Sequence, residues 1–371
     1  MFKKSLLLVS LLSIGALSAC GGNKNYTAGD PLTLTSIEMA DEYGDATLIQ
    51  YGNYDILVDS GSEQDASHVN AVLTNKVKDK TIDLLVVTHP HGDHIGGIIN
   101  NALNGFSVNK IVDYGYVYNT SGTDKITNSA YVQRYADKKA AFISAGAEYH
   151  GIKEEMAKSN TLVIDKANDL TLRWLKNDNY FGEDEVFPNS KSQSENPNTT
   201  SVAFCLEYKY WNIVMMGDAD STIEEASIVK NHEKLFKDEK KKVLLKGTHH
   251  CSSSSMGYTL LNWCSPDMIF TSSAMISSIC VPNQVALGSG TGELNHPNKS
   301  TVRRIKQTCE NFYWNGICGD MTFVTDGVND MTMTGAGRNR DYYVKGSDTI
   351  ASRDNEKNVT LFNSAFYEYY K

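Results

Sequence analysis

The chain lacks several features that would direct it to particular classes. No Cys-x-x-Cys pair occurs among its seven cysteines, which argues against a cysteine-based structural zinc site. No apolar run reaches the roughly 18 to 20 residues that a membrane-spanning helix needs. No internal repeat is detectable, and nothing suggests disorder overall. Positive charge is not in excess either: 35 Lys and Arg face 44 Asp and Glu, a formal net charge of −9. An acidic body argues against tight electrostatic holding of long nucleic acid or of an anionic bilayer, though not against cutting them. The basic clusters Lys240-Lys241-Lys242 and Arg303-Arg304-Lys306 read as solvated edges. What remains is 371 residues with 41% apolar content, enough for one large domain or two small ones.

The N-terminus is the first positive signal. Lys3 and Lys4 precede a run of apolar or small residues from Ser5 to Ala19, a secretory pattern too short to span a bilayer. The run ends Leu17-Ser18-Ala19-Cys20, which resembles a bacterial lipobox and implies cleavage before a lipid-carrying Cys20; an uncleaved anchor is the alternative. Residues 1–19 are then the signal and 20–33 a polar tether. Removing two lysines and no acids takes the formal charge from −9 to −11. An extracytoplasmic address permits disulfides among the other six cysteines, with Cys309 and Cys318 the favoured pair; six small buried hydrophobes is the competing reading.

The densest chemistry lies at Thr88 to Gly97, Thr-His-Pro-His-Gly-Asp-His-Ile-Gly-Gly. His89, His91, Asp93 and His94 are metal-ligand types at metal-ligand spacing. The apolar run 82–87 before them predicts a buried strand, so the ligands leave a sheet at a turn made by Pro90 and Gly92. A helix follows, its Gly96 and Gly97 permitting close backbone approach.

Elsewhere strands are predicted over 33–40, 46–51, 54–61, 110–117, 201–208, 211–216, 243–247, 266–272, 321–325 and 331–334, with three short ones near Tyr149, Leu162 and Leu172. Helices are predicted over 68–76, 128–147, 221–236 and 299–310. The polar stretch 177–200 reads as a long loop and a candidate lid. Residues 338–371 read as a C-terminal extension.

Four strand ends therefore carry ligand-type residues: Asp59; His89, His91, Asp93 and His94; Asp218; and His249. In the order strand-Asp, His-x-His-x-Asp-His, Gly-Asp, Gly-x-His-His, the chain resembles the metallo-β-lactamase superfamily over roughly 34–337. That resemblance implies an α/β fold, an αββα sandwich of two mixed sheets flanked by helices. It also implies a pair of divalent metals, zinc first with manganese or iron as alternatives. More closely, Gly44-Asp45-Ala46, Asn198 to Val202, Met216 to Asp220, Gly247 to Ser255 and His296-Pro297 resemble the hydrolase domain of the competence protein ComEC and its secreted relatives. The pneumococcal-type phosphorylcholine esterases share the central motifs.

By that matching His89 and His91 hold the first metal, and Asp93, His94 and His249 the second. Asp218 bridges both, Asp59 orients a histidine or the bridging water, and a bridging hydroxide is the nucleophile. Many superfamily members have a further histidine on the first metal. Here His150 is the sole histidine of the right interval and reads as an interior strand residue away from the site, so Asn198 or Ser201 is expected near the gap. Cys251 stands where relatives have glycine. His250 and His296 either act on the leaving group or a phosphate oxygen, or are structural. Ser252 either donates to substrate or caps a turn. His68 and His232 read as solvated. The residues expected to act are thus Asp59, Asp93, His250 and His296, with Asn198, Ser201, Ser252 and His296 contacting substrate.

The resulting expectation is an extracytoplasmic, lipid-anchored, metal-dependent phosphodiesterase or nuclease-like hydrolase. Its partners are a phosphoester substrate, either nucleic acid or a choline-phosphate conjugate, and the membrane through lipid on Cys20, with no obligate protein partner. A phosphorylcholine-esterase-like enzyme is the first alternative and a non-catalytic surface binding lipoprotein the second.

Overall fold

In the computed structural model, residues 27–39, 43–118, 129–183, 185–187, 196–238, 240–273, 280–281, 284–285, 296–337, 342–343, 350–351 and 357–371 are described. The predicted signal, the first half of the tether with Cys20, and residues 184 and 188–195 of the predicted loop lie outside them. Strand β4 (Thr81–Val87) shows how the sequence pattern builds the layers. Leu84 and Val86 enter one apolar core, while Leu85 and Val87, on the opposite pleat face, enter a second. A strand buried on both faces belongs in the middle of a sheet covered on both sides.

That sheet is assembled from both ends of the chain. Strands β1 (Leu32–Ser36), β2 (Thr47–Tyr51) and β3 (Tyr54–Val58) form an antiparallel meander; β3, β4, β5 (Ser107–Asp113) and an edge strand, Glu148–Gly151, continue in parallel. The strands Met321–Thr325 and Thr332–Gly335 join at the other edge, the first pairing antiparallel with β1 from Leu32↔Thr325 to Ser36↔Met321. The sequence pattern had assigned these last strands to a second-half repeat of the alternation. Pairing across nearly the whole chain leaves no local signal.

The second sheet has seven strands in the order 312–314, 268–271, 242–246, 211–215, 203–208, 170–175, 161–165. Between the sheets lies the main core, with Trp174, Trp211 and Trp314 buried. The other core lies between the first sheet and helices α1 (Ala66–Lys76), α2 (Gly92–Ile99) and α3 (Ser129–Ser144). Helices Tyr258–Cys264 and Lys299–Lys306 cover the second sheet. The result is the αββα sandwich that the resemblance implies. Leu361, Phe362, Phe366 and Tyr370, near the C-terminus, are buried in the main core. Among the described residues no helix is long and apolar enough to cross a membrane.

Several expectations change. The helix predicted over 221–236 is a short turn, Ser221–Ile223, running into a π-helical stretch, Glu224–Val229. Cys309 and Cys318 form no disulfide: both are buried thiols, Cys309 donating to the carbonyl of Asp267 and Cys318 to that of Val359. His150 lies on the edge strand, not an interior one, and bonds Glu148 at 2.9 Å. His68 and His232 are not simply solvated: His68 pairs with Asp320 at 2.9 Å, and His232 accepts from the Lys176 amide at 2.7 Å.

Candidate metal centre

Each ligand-type side chain is positioned by a strand end. β3 stops at Val58, and Asp59 turns with φ 57°, so its carboxylate accepts from the amide of Thr88 at 2.8 Å and from its hydroxyl at 2.7 Å. That clamp joins the ends of β3 and β4. β4 then delivers His89, and His91 begins α2 in extended conformation. α2 lies directly on the chain after Asp59: a Cβ on Gly97 would meet Ser60 O at 1.9 Å, and one on Gly96 would meet Glu63 N at 2.6 Å. These glycines let Asp93 and His94 enter the site.

The opposite wall comes from the second sheet. Strand Trp211–Met215 ends before Gly217, whose φ of 51° turns the chain and whose missing side chain leaves room for Thr88 and Ser201. Asp218 follows, its amide held by Ser201 Oγ at 3.0 Å. Strand Lys242–Lys246 runs into His249, His250 and Cys251, all in the left-handed region with φ of 47°, 48° and 60°. In an extended strand adjacent side chains point to opposite faces. The left-handed turn instead lets consecutive histidines face one carboxylate. Three such residues in succession are backbone strain of the kind found at functional sites.

Asp218 Oδ2 is the focus. It lies 3.3 Å from His94 Nε2, 3.4 Å from His250 Nε2, and 3.8 Å from Nε2 of both His89 and His249. His89 Nε2 is 3.1 Å from His91 Nδ1. Asp93 Oδ2 is 3.3 Å from His250 Nε2 and 3.8 Å from His94 Nε2. The far nitrogens are tied back: His94 Nδ1 to Asp59 at 2.8 Å, His250 Nδ1 to the carbonyl of Ser272 at 2.8 Å, and His249 Nδ1 to Ser252 Oγ at 3.1 Å. Such outer partners fix imidazole orientation and leave Nε2 to face a cation.

The donor set fits divalent cations. Nε2 of His94 and of His250 are buried and make no hydrogen bond, although carboxylates surround them. His89 and His91 form one contact pair, Asp93, His94 and His250 form another group, and His249 Nε2 lies between Asp218 at 3.8 Å and Asn198 at 3.3 Å. This division differs from the expected one, in which His249 joined Asp93 and His94 and His250 acted on substrate. His250, not His249, is the histidine beside Asp93. Spacing alone does not reveal which of two adjacent histidines faces which group, because the left-handed turn decides it.

The charge balance is strong. Burial lowers the pKa of His94, but the carboxylates of Asp218, Asp59 and Asp93 outweigh it and hold it well above the ordinary value. In His250 burial likewise opposes and Asp218 and Asp45 prevail, raising it to about 10. Burial holds His89, His91 and His249 below the ordinary imidazole value. Burial would raise Asp218, yet His250, His94 and His249 keep it well below the carboxylate range.

The remaining predicted residues divide. Ser201 is fully buried and its Oγ accepts from the Asp218 amide, which makes it a positioning residue for Asp218. Ser252 orients His249. Asn198 Nδ2 is 3.3 Å from His249 Nε2. The His296 ring lies 4.4 Å from that of Tyr43 and 5.4 Å from that of His249. Cys251 is buried with Sγ turned toward Gly247, where a Cβ would meet it at 2.4 Å. Two site residues were missed. Asp45 falls in the same cluster as His94, Asp218 and His250, and the buried Lys246 pairs with it. A lysine closing the apolar run 243–245 was the available signal.

Among curated proteins no relative matches the chain. Among solved structures it is similar to the metallo-beta-lactamase fold protein YhfI from Bacillus subtilis, at 13% identity and a TM-score of 0.41 over 77% of this chain and 96% of that one. It is also similar to human tRNase Z, short form, at 12% identity and a TM-score of 0.33 over 76% and 93%. The family model described as Metallo-beta-lactamase superfamily matches residues 40–249, more than half of the chain and the stretch that contains most of the histidines and carboxylates around Asp218. With two mixed sheets, their flanking helices and this His and Asp cluster, the chain belongs to the metallo-beta-lactamase superfamily, as a metal-dependent hydrolase of that fold.

Proposed function

We propose that the protein is a phosphodiesterase or nuclease-like hydrolase that works with two divalent metals, zinc first, and is held outside the cytoplasm by lipid on Cys20. The observation that carries the catalytic part is Asp218 Oδ2, shared among four imidazole Nε2 atoms at 3.3 to 3.8 Å. One carboxylate serving two histidine groups is what a bridged metal pair requires. His89, His91 and His249 would hold one ion and Asp93, His94 and His250 the other, and the pair would supply an activated water and neutralise a phosphoryl group's charge.

The chain's own residues do the rest. Asp59 holds His94 by Nδ1, and the Ser272 carbonyl holds His250 by Nδ1, so both present Nε2 toward Asp218. His296, tilted against Tyr43 beside His249, would grip a phosphoryl oxygen or protonate the leaving alcohol. The ComEC-like motifs favour a nuclease. The acidic body favours a smaller phosphorylcholine ester as the second reading.

The test is turnover of bis-p-nitrophenyl phosphate, p-nitrophenylphosphorylcholine, single-stranded DNA and a chromogenic cephalosporin, with Asp218→Ala as control. Phosphodiester cleavage lost in the variant is expected, and the preferred ester chooses between the two readings. Cephalosporin cleavage without phosphodiester cleavage overturns both. For the anchor, mass spectrometry of the mature protein should find lipid on Cys20, and Cys20→Ser should release the protein from membranes. An unmodified N-terminus at Met1 would refute it.

A further inference from the structure

Lys246, the last residue of strand Lys242–Lys246, is 1% exposed in the wall of the metal centre. A buried ammonium beside a cation site is unfavourable unless it is paired. Its Nζ pairs with Asp45 Oδ2, donates to the carbonyl of Gly217 at 3.3 Å, and lies 3.9 Å from Asp218 Oδ1. Asp218 is therefore divided between two environments, with Oδ2 toward the four imidazoles and Oδ1 toward the ammonium.

Asp45 could in principle be a further metal ligand, since it shares a cluster with His94, Asp218 and His250. Its position says otherwise. Its Oδ2 is 4.0 Å from His94 Nδ1 and 3.9 Å from His250 Nδ1. Those are the tied-back nitrogens, so Asp45 sits behind the imidazoles rather than in front of their Nε2 atoms.

We propose that Asp45 and Lys246 form a positioning pair for Asp218. The ammonium, neutralised by Asp45, donates to the Gly217 carbonyl and attracts Asp218 Oδ1 from 3.9 Å without a hydrogen bond, so that its charge favours the carboxylate orientation in which Oδ2 faces the imidazoles. Without it the carboxylate is free to rotate and engage one metal through both oxygens. This inference rests on the metal-centre reading above.

The test compares Lys246→Met with the double variant Asp45→Asn, Lys246→Met in the full chain. Lys246→Met leaves Asp45 buried and unpaired, so its melting temperature falls; the double variant removes both charges and recovers most of that loss. Zinc affinity by chelator competition and the absorption spectrum with cobalt are then read on the double variant. The expected result is one zinc equivalent bound about 10- to 100-fold more weakly, with an altered cobalt spectrum. A double variant that folds and binds both equivalents as the wild type does reduces the pair to a structural ion pair and overturns the inference. Should the double variant not fold, the Lys246 Nζ resonance of the labelled wild type decides: it shifts on zinc loading if the ammonium tracks Asp218, and an unmoved signal overturns the inference. A wild type that binds no zinc defeats the metal-centre reading itself, a distinguishable outcome.

Discussion

Gly97→Ala is the substitution that best tests how α2 is seated. A Cβ at this position would lie 1.9 Å from the Ser60 carbonyl oxygen and 2.9 Å from its carbon. Ordinary contact begins near 3.4 Å, so helix or loop must move by more than 1 Å, and the obstacle is backbone rather than a pliable side chain. Overpacking of this kind costs about 3 kcal/mol at the upper end of its usual range. Replacing a helical glycine by alanine returns about 1 kcal/mol. The net loss is about 2 kcal/mol, read as a lower urea midpoint with unchanged slope. Because Asp93 and His94 ride on α2, metal affinity falls as well. Gly92→Ala is the internal control: the nearest atoms to its Cβ would be those of the Tyr131 ring, at an ordinary 3.5 Å, so stability should not fall and gains at most about 1 kcal/mol. Equal stability of the Gly97 variant and the wild type would refute the close seating of α2 against Ser60.

Further outcomes follow from the same geometry. His249→Ala and His250→Ala should each lower bound metal from about two ions per chain to about one, because the adjacent imidazoles serve different groups; loss of both ions in one variant and neither in the other would contradict the division, as read by elemental analysis. The Asp320 hydrogen bond raises the His68 pKa above its ordinary value despite partial burial. A raised folded-state pKa gives stability that is present below about pH 6.5 and lost as pH rises through the folded value. The melting-temperature gap between wild type and His68→Ala should therefore be larger at pH 6 than at pH 9, worth no more than about 1 kcal/mol because the side chain is 42% exposed. Thiol titration of the unfolded protein without reductant should find Cys309 and Cys318 both reactive, and reductant should leave the melting temperature unchanged.

What could be read in the sequence was what is encoded locally. His89 to His94 lie within six residues after an apolar run, so strand, turn and ligands were visible together, as was Asp218 after its Gly. Elements with their own periodicity, such as β3, α1 and the strand 321–325, were found to within a few residues. The pairing of 321–325 with β1 was not, because it depends on packing nearly 290 residues away. The division of His249 and His250 depends on three left-handed residues that no composition rule marks, since none is glycine. Lys246 was missed because a lysine at a strand end usually reaches solvent, whereas this one meets Asp45 from the other half of the chain. Ser201 was assigned to substrate from its neighbourhood, and its orientation toward the Asp218 amide became visible only in the fold.

The most direct measurement is the metal-to-protein ratio of the purified chain beginning after Cys20, loaded with zinc and freed of excess, beside its Asp218→Ala variant. Because one carboxylate oxygen faces the imidazoles of His89, His249, His94 and His250, about two ions per wild-type chain and a marked loss in the variant are predicted. A wild-type chain that retains no metal, or a variant that retains both ions, would contradict the bridged metal centre.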